Sequence, residues 1–291
     1  MSNKHTLPIL VFIMLCLIWG STWLFIKIGL DDAPPFLLAG ARFLLSVVLL
    51  YPFMKLKGLK FPRDWRILSI MIYTGTFAIS VSYGLVYWSE QYVSAGLTAV
   101  LFSSFPFFVL IFSHFMIADD GFSLKKTVGS IVGFSGVAVI YVDSVKLEST
   151  IILLGTSAIV VSAVFTAFSN VVIKKHSESL DPIVLTVVQM ICGAVSLLTV
   201  GFLFENVGDF KFTVKSIGSL FYLSIVGSCV AFVAYYWLIR QVKVTTASLI
   251  IFVIPVVALF LDWLVLDELL SWRILAGSGL VISGVGLASR R

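Results

Sequence analysis

The residue with the most telling chemistry is Arg42, in the run Ala41-Arg42-Phe43 eight residues beyond Pro34. If the apolar stretch starting at Pro34 is one helix, a rise of 1.5 Å per residue puts the guanidinium about 12 Å in, near the centre of a ~30 Å hydrocarbon layer. A charge at that depth must face a cavity or a partner. Two readings follow: a bidentate hold on a substrate carboxylate, or a structural arginine bonded to helix-end carbonyls.

A second candidate is a stripe. Tyr73, Thr76, Ser80, Tyr83, Tyr87 and Glu90 recur every three or four residues, the spacing of one helical face. Hydroxyls on a lipid-facing side would lack partners, so the stripe is expected to face a cavity, with interfacial aromatic belts as the other reading for Tyr87. Ser162, Thr166, Ser169 and Asn170 form a weaker polar face, suited to substrate or to gluing helices together. His114, Asp262 and Glu90 are the titratable groups nearest the apolar interior, each close to the end of an apolar run, where a solvated role competes with proton binding.

These residues need elements long enough to hold them in a membrane. With 59% hydrophobic and 12% charged residues in 291 and a mean hydropathy of +1.08, the chain is far more apolar than a soluble domain. The apolar runs predict ten spans, roughly 7–28, 34–54, 66–89, 95–117, 124–142, 151–173, 182–204, 216–238, 244–265 and 272–289. The expected class is therefore an all-α polytopic membrane protein. Fourteen Lys and Arg fall in one set of loops and five in the other, which predicts both termini on the cytoplasmic side. Cys16, Cys192 and Cys229 sit at unrelated spacings inside apolar runs and read as packing residues, with no metal site or cofactor expected. The net charge of +5 is scattered over loops, which argues against nucleic acid.

The chain also repeats itself. Tyr87-Trp88 leads through a Gln-containing hinge to Pro106, and Tyr236-Trp237 leads likewise to Pro255. Lys27 and Pro35 answer to Lys174 and Pro182, Arg42 to Gln189, and the tyrosine stripe to Tyr222, Ile225, Cys229, Phe232, Tyr236 and Ile239. The predicted division is 1–145 and 146–291. Five spans per repeat is odd, so the copies must enter the bilayer from opposite sides, an inverted repeat with its binding site near the midplane. Pro106 and Pro255, about eleven residues into their spans, are expected to kink helices there.

Ile18-Trp19-Gly20-Ser21-Thr22 with Lys27, Pro34-Pro35-Phe36, Ala41-Arg42-Phe43, and Asp267-Glu268 with Gly277 to Gly286 carry a resemblance. On them the chain resembles the EamA branch of the drug/metabolite transporter superfamily, ten-helix permeases built from two five-helix repeats. One departure is Asp120 followed by Gly121, where the second half has Glu268. The resemblance implies a transporter that exports amino acids, other small metabolites or toxic compounds, and the lack of any Asn-x-Ser/Thr sequon and of targeting tails fits a bacterial inner membrane.

The resulting expectation is a cavity bounded by the first to fourth and sixth to ninth spans. Its candidate substrate-binding residues are Arg42, Tyr73, Thr76, Ser80, Tyr83, Tyr87, Asn170, Gln189, Tyr222, Phe232 and Tyr236. An amphipathic amino acid fits them best. A multidrug exporter of lipophilic cations ranks lower because no acid lies at mid-span, and a membrane enzyme lower still because no catalytic constellation is present. Gly129, Gly133 and Gly136, with Gly277, Gly279, Ser283, Gly284 and Gly286, make small-residue faces for internal packing or for a homodimer.

Overall fold

The computed structural model describes residues 3–93, 98, 101–117, 123–141, 150–257 and 272–289. They are helical, with no strand among them. The helices are α1 (Asn3–Leu30), α2 (Pro35–Leu56), α3 (Trp65–Ser89), α4 (Phe105–Met116), α5 (Leu124–Tyr141), α6 (Thr150–Lys175), α7 (Pro182–Phe204), α8 (Val214–Gln241), α9 (Val244–Val257) and α10 (Trp272–Ser289). Among the described residues six helices are long and apolar enough to cross a bilayer, namely α2, α3, α6, α7, α8 and α1 from Thr6 onward. Large side chains such as Leu17, Val48, Val195 and Ile282 point outward and exposed. Such a surface is stable against lipid and not against water. The protein is an all-α polytopic membrane protein. The start of the fourth expected span, the end of the ninth, and Asp120, Gly121, Asp262, Asp267 and Glu268 lie outside the described residues.

Helix starts follow the local sequence. Asp181 caps α7 by accepting from the backbone N–H of Ile183 (2.9 Å) and Val184 (3.2 Å), with Pro182 in the first turn, where its missing donor costs nothing. The corresponding start of α2, Ala33-Pro34-Pro35-Phe36, has no capping side chain of its own. Glu205, just past the end of α7, supplies one: its two carboxylate oxygens accept from Phe36 N and Leu37 N, each at 2.8 Å. This places a negative charge on the positive end of the α2 dipole. Glu205→Ala is expected to cost about 1–2 kcal/mol, the value of a helix cap. The change should lower the midpoint of thermal unfolding in detergent, and Glu205→Gln should recover part of the loss. An unchanged midpoint for Glu205→Ala would remove this role.

Two wide turns interrupt the long helices. α3 passes through a π-helical turn at Thr76–Val81 and α8 through another at Ile225–Val230, matching places in the two halves. The expected proline kinks take a different form. At the first, the chain breaks at Ser103 and Ser104, and Pro106 lies in the first turn of α4, where Ser104 N and Oγ both bond Leu101 O. At the second, α9 breaks at Leu249, and Pro255 lies beyond that break. Pro106 thus sits in a first turn, where a proline is tolerated and the break precedes it.

α2 packs along α7, and α3 and α4 along α6. α5 packs along α10, to one side. There the small-residue faces meet inside one chain. A Cβ at Gly129 would stand 2.6 Å from Gly284 O, and one at Gly284 would stand 2.5 Å from Gly133 N. Gly129, Gly136 and Gly284 are spent on this internal packing, the commoner use of such stripes, while Gly279 and Gly286 face open space.

Candidate functional site

Seven helices enclose a cavity of about 90 Å³. By the same measure one water needs on the order of 10–15 Å³, so there is room for a small solute. α1 contributes Trp19, Thr22, Trp23 and Ile26; α2 contributes Arg42; α3 contributes Ala78, Ser82, Tyr83 and Val86. The wall is completed by Phe102 with Phe105 of α4, Thr166 and Asn170 of α6, Phe232, Tyr235 and Tyr236 of α8, and Ala247, Ile250, Ile251 and Ile254 of α9. α7, expected as a wall, contributes no lining side chain among the described residues. It acts from behind: Gln189 donates from Nε2 to Thr74 Oγ1 (2.9 Å), and its Oε1 accepts from Tyr236 Oη.

Arg42 sits at the centre of the polar machinery and is 1% exposed. Its Nε donates to Ser228 Oγ (2.8 Å), Nη1 to Tyr87 Oη (3.2 Å) and Nη2 to Gly227 O (3.2 Å). Ser228 and Gly227 belong to the π turn of α8, so the wide turn offers the arginine a hydroxyl and a carbonyl. Below it, Ser46 Oγ and Ser224 Oγ both donate to the Arg42 carbonyl, at 2.8 and 3.0 Å. The ring faces of Phe43 and Tyr83 lie 5.3 Å from Arg42 Cζ and give the charge partial solvation. Arg42 is thus tied into the scaffold, through the π turn of α8 and not helix-end carbonyls, and it also lines the cavity.

Three of the five guanidinium N–H donors meet these acceptors, and the Tyr83 hydroxyl also interacts with the guanidinium, which leaves at most two. All three acceptors are neutral, and no Asp or Glu is among the described residues of the cavity wall. Trp19 Nε1 and Trp23 Nε1, on the same wall, are buried without a hydrogen-bond partner. Asn170 spends one amide proton on Tyr235 Oη (3.1 Å). Two unpartnered indole donors thus share the wall with a positive charge that no carboxylate among the described lining residues neutralises.

Of the expected site residues, Arg42, Tyr83, Asn170, Phe232 and Tyr236 line this cavity. Tyr87 and Gln189 stand one layer back, through Arg42 and Tyr236. The stripe on α3 does not hold together. The π turn adds a residue to the helical turn and shifts the phase, so Ala78 and Ser82 face the cavity while Tyr73 is 44% exposed beside Phe77 and Phe168. Thr76 hydrogen-bonds toward Cys192, and Ser80 Oγ is buried without a partner. Tyr222 stacks on Phe25 at 3.9 Å and bonds Ser21 Oγ at 2.6 Å, away from the cavity. Thr166 follows the gluing reading, its Oγ1 2.7 Å from Ser82 Oγ, and it also lines the cavity; Ser162 offers Ser82 only its backbone carbonyl (3.2 Å), its own hydroxyl being buried without a partner. His114 is exposed near the end of α4.

The sequence reading missed Trp19, Trp23 and Tyr235. All three carried a signal, because Trp19 and Trp23 fall four apart on one face of α1, and Tyr235 adjoins the Tyr236 that was selected.

With this geometry in view, comparison with known proteins is decisive for the family. The sequence matches the EamA-like transporter family twice, over residues 6–142 and 153–290. The chain belongs to that family. The uncharacterized transporter YoaV of Bacillus subtilis is 30% identical over 279 residues, spanning 94% of this chain and 93% of its own. The uncharacterized inner membrane transporter YedA of Escherichia coli is 30% identical over 272 residues, covering 90% and 84%. Protein PagO of Salmonella typhimurium is 25% identical over 255 residues, covering 87% and 83%. A solved crystal structure superposes with a TM-score of 0.83 over 99% of both chains at 16% identity, which shows the shared fold. This EamA-family protein is a membrane-embedded transporter.

Proposed function

We propose that this transporter moves a small amphipathic metabolite bearing a carboxylate, an amino acid or a close relative, outward across a bacterial inner membrane. One observation carries the reading: the buried, uncompensated charge of Arg42, in a wall that has no acid among its described residues. Burying a charge without a counter-ion is costly, and a substrate carboxylate would supply one. Trp19 and Trp23 add indole donors within the same wall, and Phe232, Phe102 and Phe105 give an apolar surface for a side chain. The chain works as two inverted five-helix repeats, 1–145 and 146–291, with both termini cytoplasmic. The breaks at Ser103–Ser104 and Leu249 flex to open the cavity to each side in turn.

Uptake of labelled leucine, phenylalanine and glutamate into proteoliposomes, with and without a pH gradient, tests this. Saturable flux of at least one is the expected result. If none moves while tetraphenylphosphonium does, the cavity serves lipophilic cations and the amino-acid reading is wrong.

A further inference from the structure

Glu90 is the first residue after α3, at the end of the bundle that also carries Lys27, Pro35 and Glu205 and lies opposite Lys174 and Arg240. It is 2% exposed, and neither carboxylate oxygen has a hydrogen-bond partner. Yet it forms part of the wall of an open vestibule of about 840 Å³ at that end, shared with Lys27, Asp31, Gln91 and Asp209. A carboxylate withdrawn from water without a donor is expensive, so such a group keeps a proton instead. Burial pushes the Glu90 carboxyl up to about 8, with the nearby Lys27 charge pulling the other way.

The second half of the chain shows what this corner looks like when it is locked. Lys174 corresponds to Lys27, and Ile239 to Glu90. There Lys174 Nζ donates to Ile239 O (2.7 Å) and Val242 O (2.8 Å), a latch made with backbone carbonyls. At the Glu90 end the lysine is exposed, and the position facing it is an ionisable side chain.

Among the described residues, the other charged groups around Glu90 are engaged or face solvent, and Tyr92 is exposed. The Glu205 carboxylate is spent on Phe36 N and Leu37 N, and Asp32 accepts from Thr213 Oγ1. Asp31, Asp209 and Lys211 lie on the solvent side of the vestibule. Arg42 of α2 and Tyr87 of α3 are bonded to each other. α6, packed along α3, has no charged residue from Thr150 to Ile173.

We propose that Glu90 is a proton-binding site that sets whether this mouth of the transporter is shut. Neutral, it stays packed and the mouth is closed. When it loses its proton to vestibule water, the carboxylate must be hydrated or paired with Lys27, and the mouth opens. The proposal goes beyond the transport reading. Its test reads protonation and mouth width, not flux, so the two can fail separately.

The experiment uses the full chain in lipid nanodiscs. Infrared spectra follow the protonated-carboxyl band from pH 5 to 10, and spin labels at positions 91 and 209, in a chain without its native cysteines, report the width of the mouth. The wild type should lose a carboxyl band with a midpoint near pH 8, and the label distance should lengthen over the same range. Glu90→Gln should lack the band and hold the short distance at every pH. Lys27→Met, which keeps Glu90, should move the midpoint to higher pH because the attracting cation is gone. It also supplies the answer if Glu90→Gln fails to fold. No band lost above pH 6, a midpoint unmoved or lowered in Lys27→Met, or a pH-dependent opening that persists in Glu90→Gln would each overturn the proposal.

Discussion

Arg42→Ala is expected to reduce amino-acid uptake by about two to three orders of magnitude. Removing one partner of a buried, hydrogen-bonded charge pair typically costs 2–5 kcal/mol, at 1.4 kcal/mol per tenfold. Arg42→Lys should recover little. An ammonium cannot reach Ser228, Tyr87 and Gly227 at once and still donate to a carboxylate. The structural share of the loss is separable, because Ser228, Tyr87 and the Gly227 carbonyl would lose a donor and lower thermal stability. Tyr87→Phe provides the control: it removes one scaffold bond and leaves the guanidinium. It should therefore keep most of the uptake while losing about 0.5–1.5 kcal/mol of stability. Uptake by Arg42→Ala equal to that of the wild type would reduce Arg42 to scaffold alone.

Gly284→Val is expected to have the largest effect on stability. The atoms that its side chain would meet are Gly133 N and Gly129 O, at 2.5 and 2.6 Å from the new Cβ. Backbone cannot turn aside as a side chain can. Overpacking of a core commonly costs about 1–3 kcal/mol, and here α5 and α10 would have to separate along their length. The expected outcome is a large fall in the detergent melting midpoint and in the yield of monodisperse protein. Gly286→Val, two residues on and in open space, should behave as wild type. A stable Gly284→Val chain would mean that the two helices can part without loss.

Much of the architecture was legible because lipid imposes it: only long apolar helices can span, and those runs stand out from Leu7 onward. Arg42 was legible for the same reason, being a charge at a depth where charges are rare. The tyrosine stripe was read less well. Periodicity assumes one helical pitch, and the π turn of α3 changes the pitch at Thr76, just where the stripe enters the bilayer centre. Pro106 misled in a related way. Residue type identifies a break, but whether it falls before or at the proline depends on Ser103 and Ser104 closing a turn onto Leu101. Glu205 as the cap of α2 was out of reach, since its partners are about 170 positions away in sequence.

The two π turns carry a vulnerability. They begin at Thr76 and Ile225, the same place in each copy. The same widened turn thus recurs in both family-matched segments, although Arg42 stands in one where Gln189 stands in the other. Deleting one residue there, such as Ile79, would restore an ordinary pitch and swing everything beyond it by roughly 100°. Tyr83 and Tyr87 would then leave Arg42 without any change in their own identity. Substitutions can be compensated one at a time, but an error of phase displaces a whole wall at once, so these two short segments should tolerate replacement far better than any change of length.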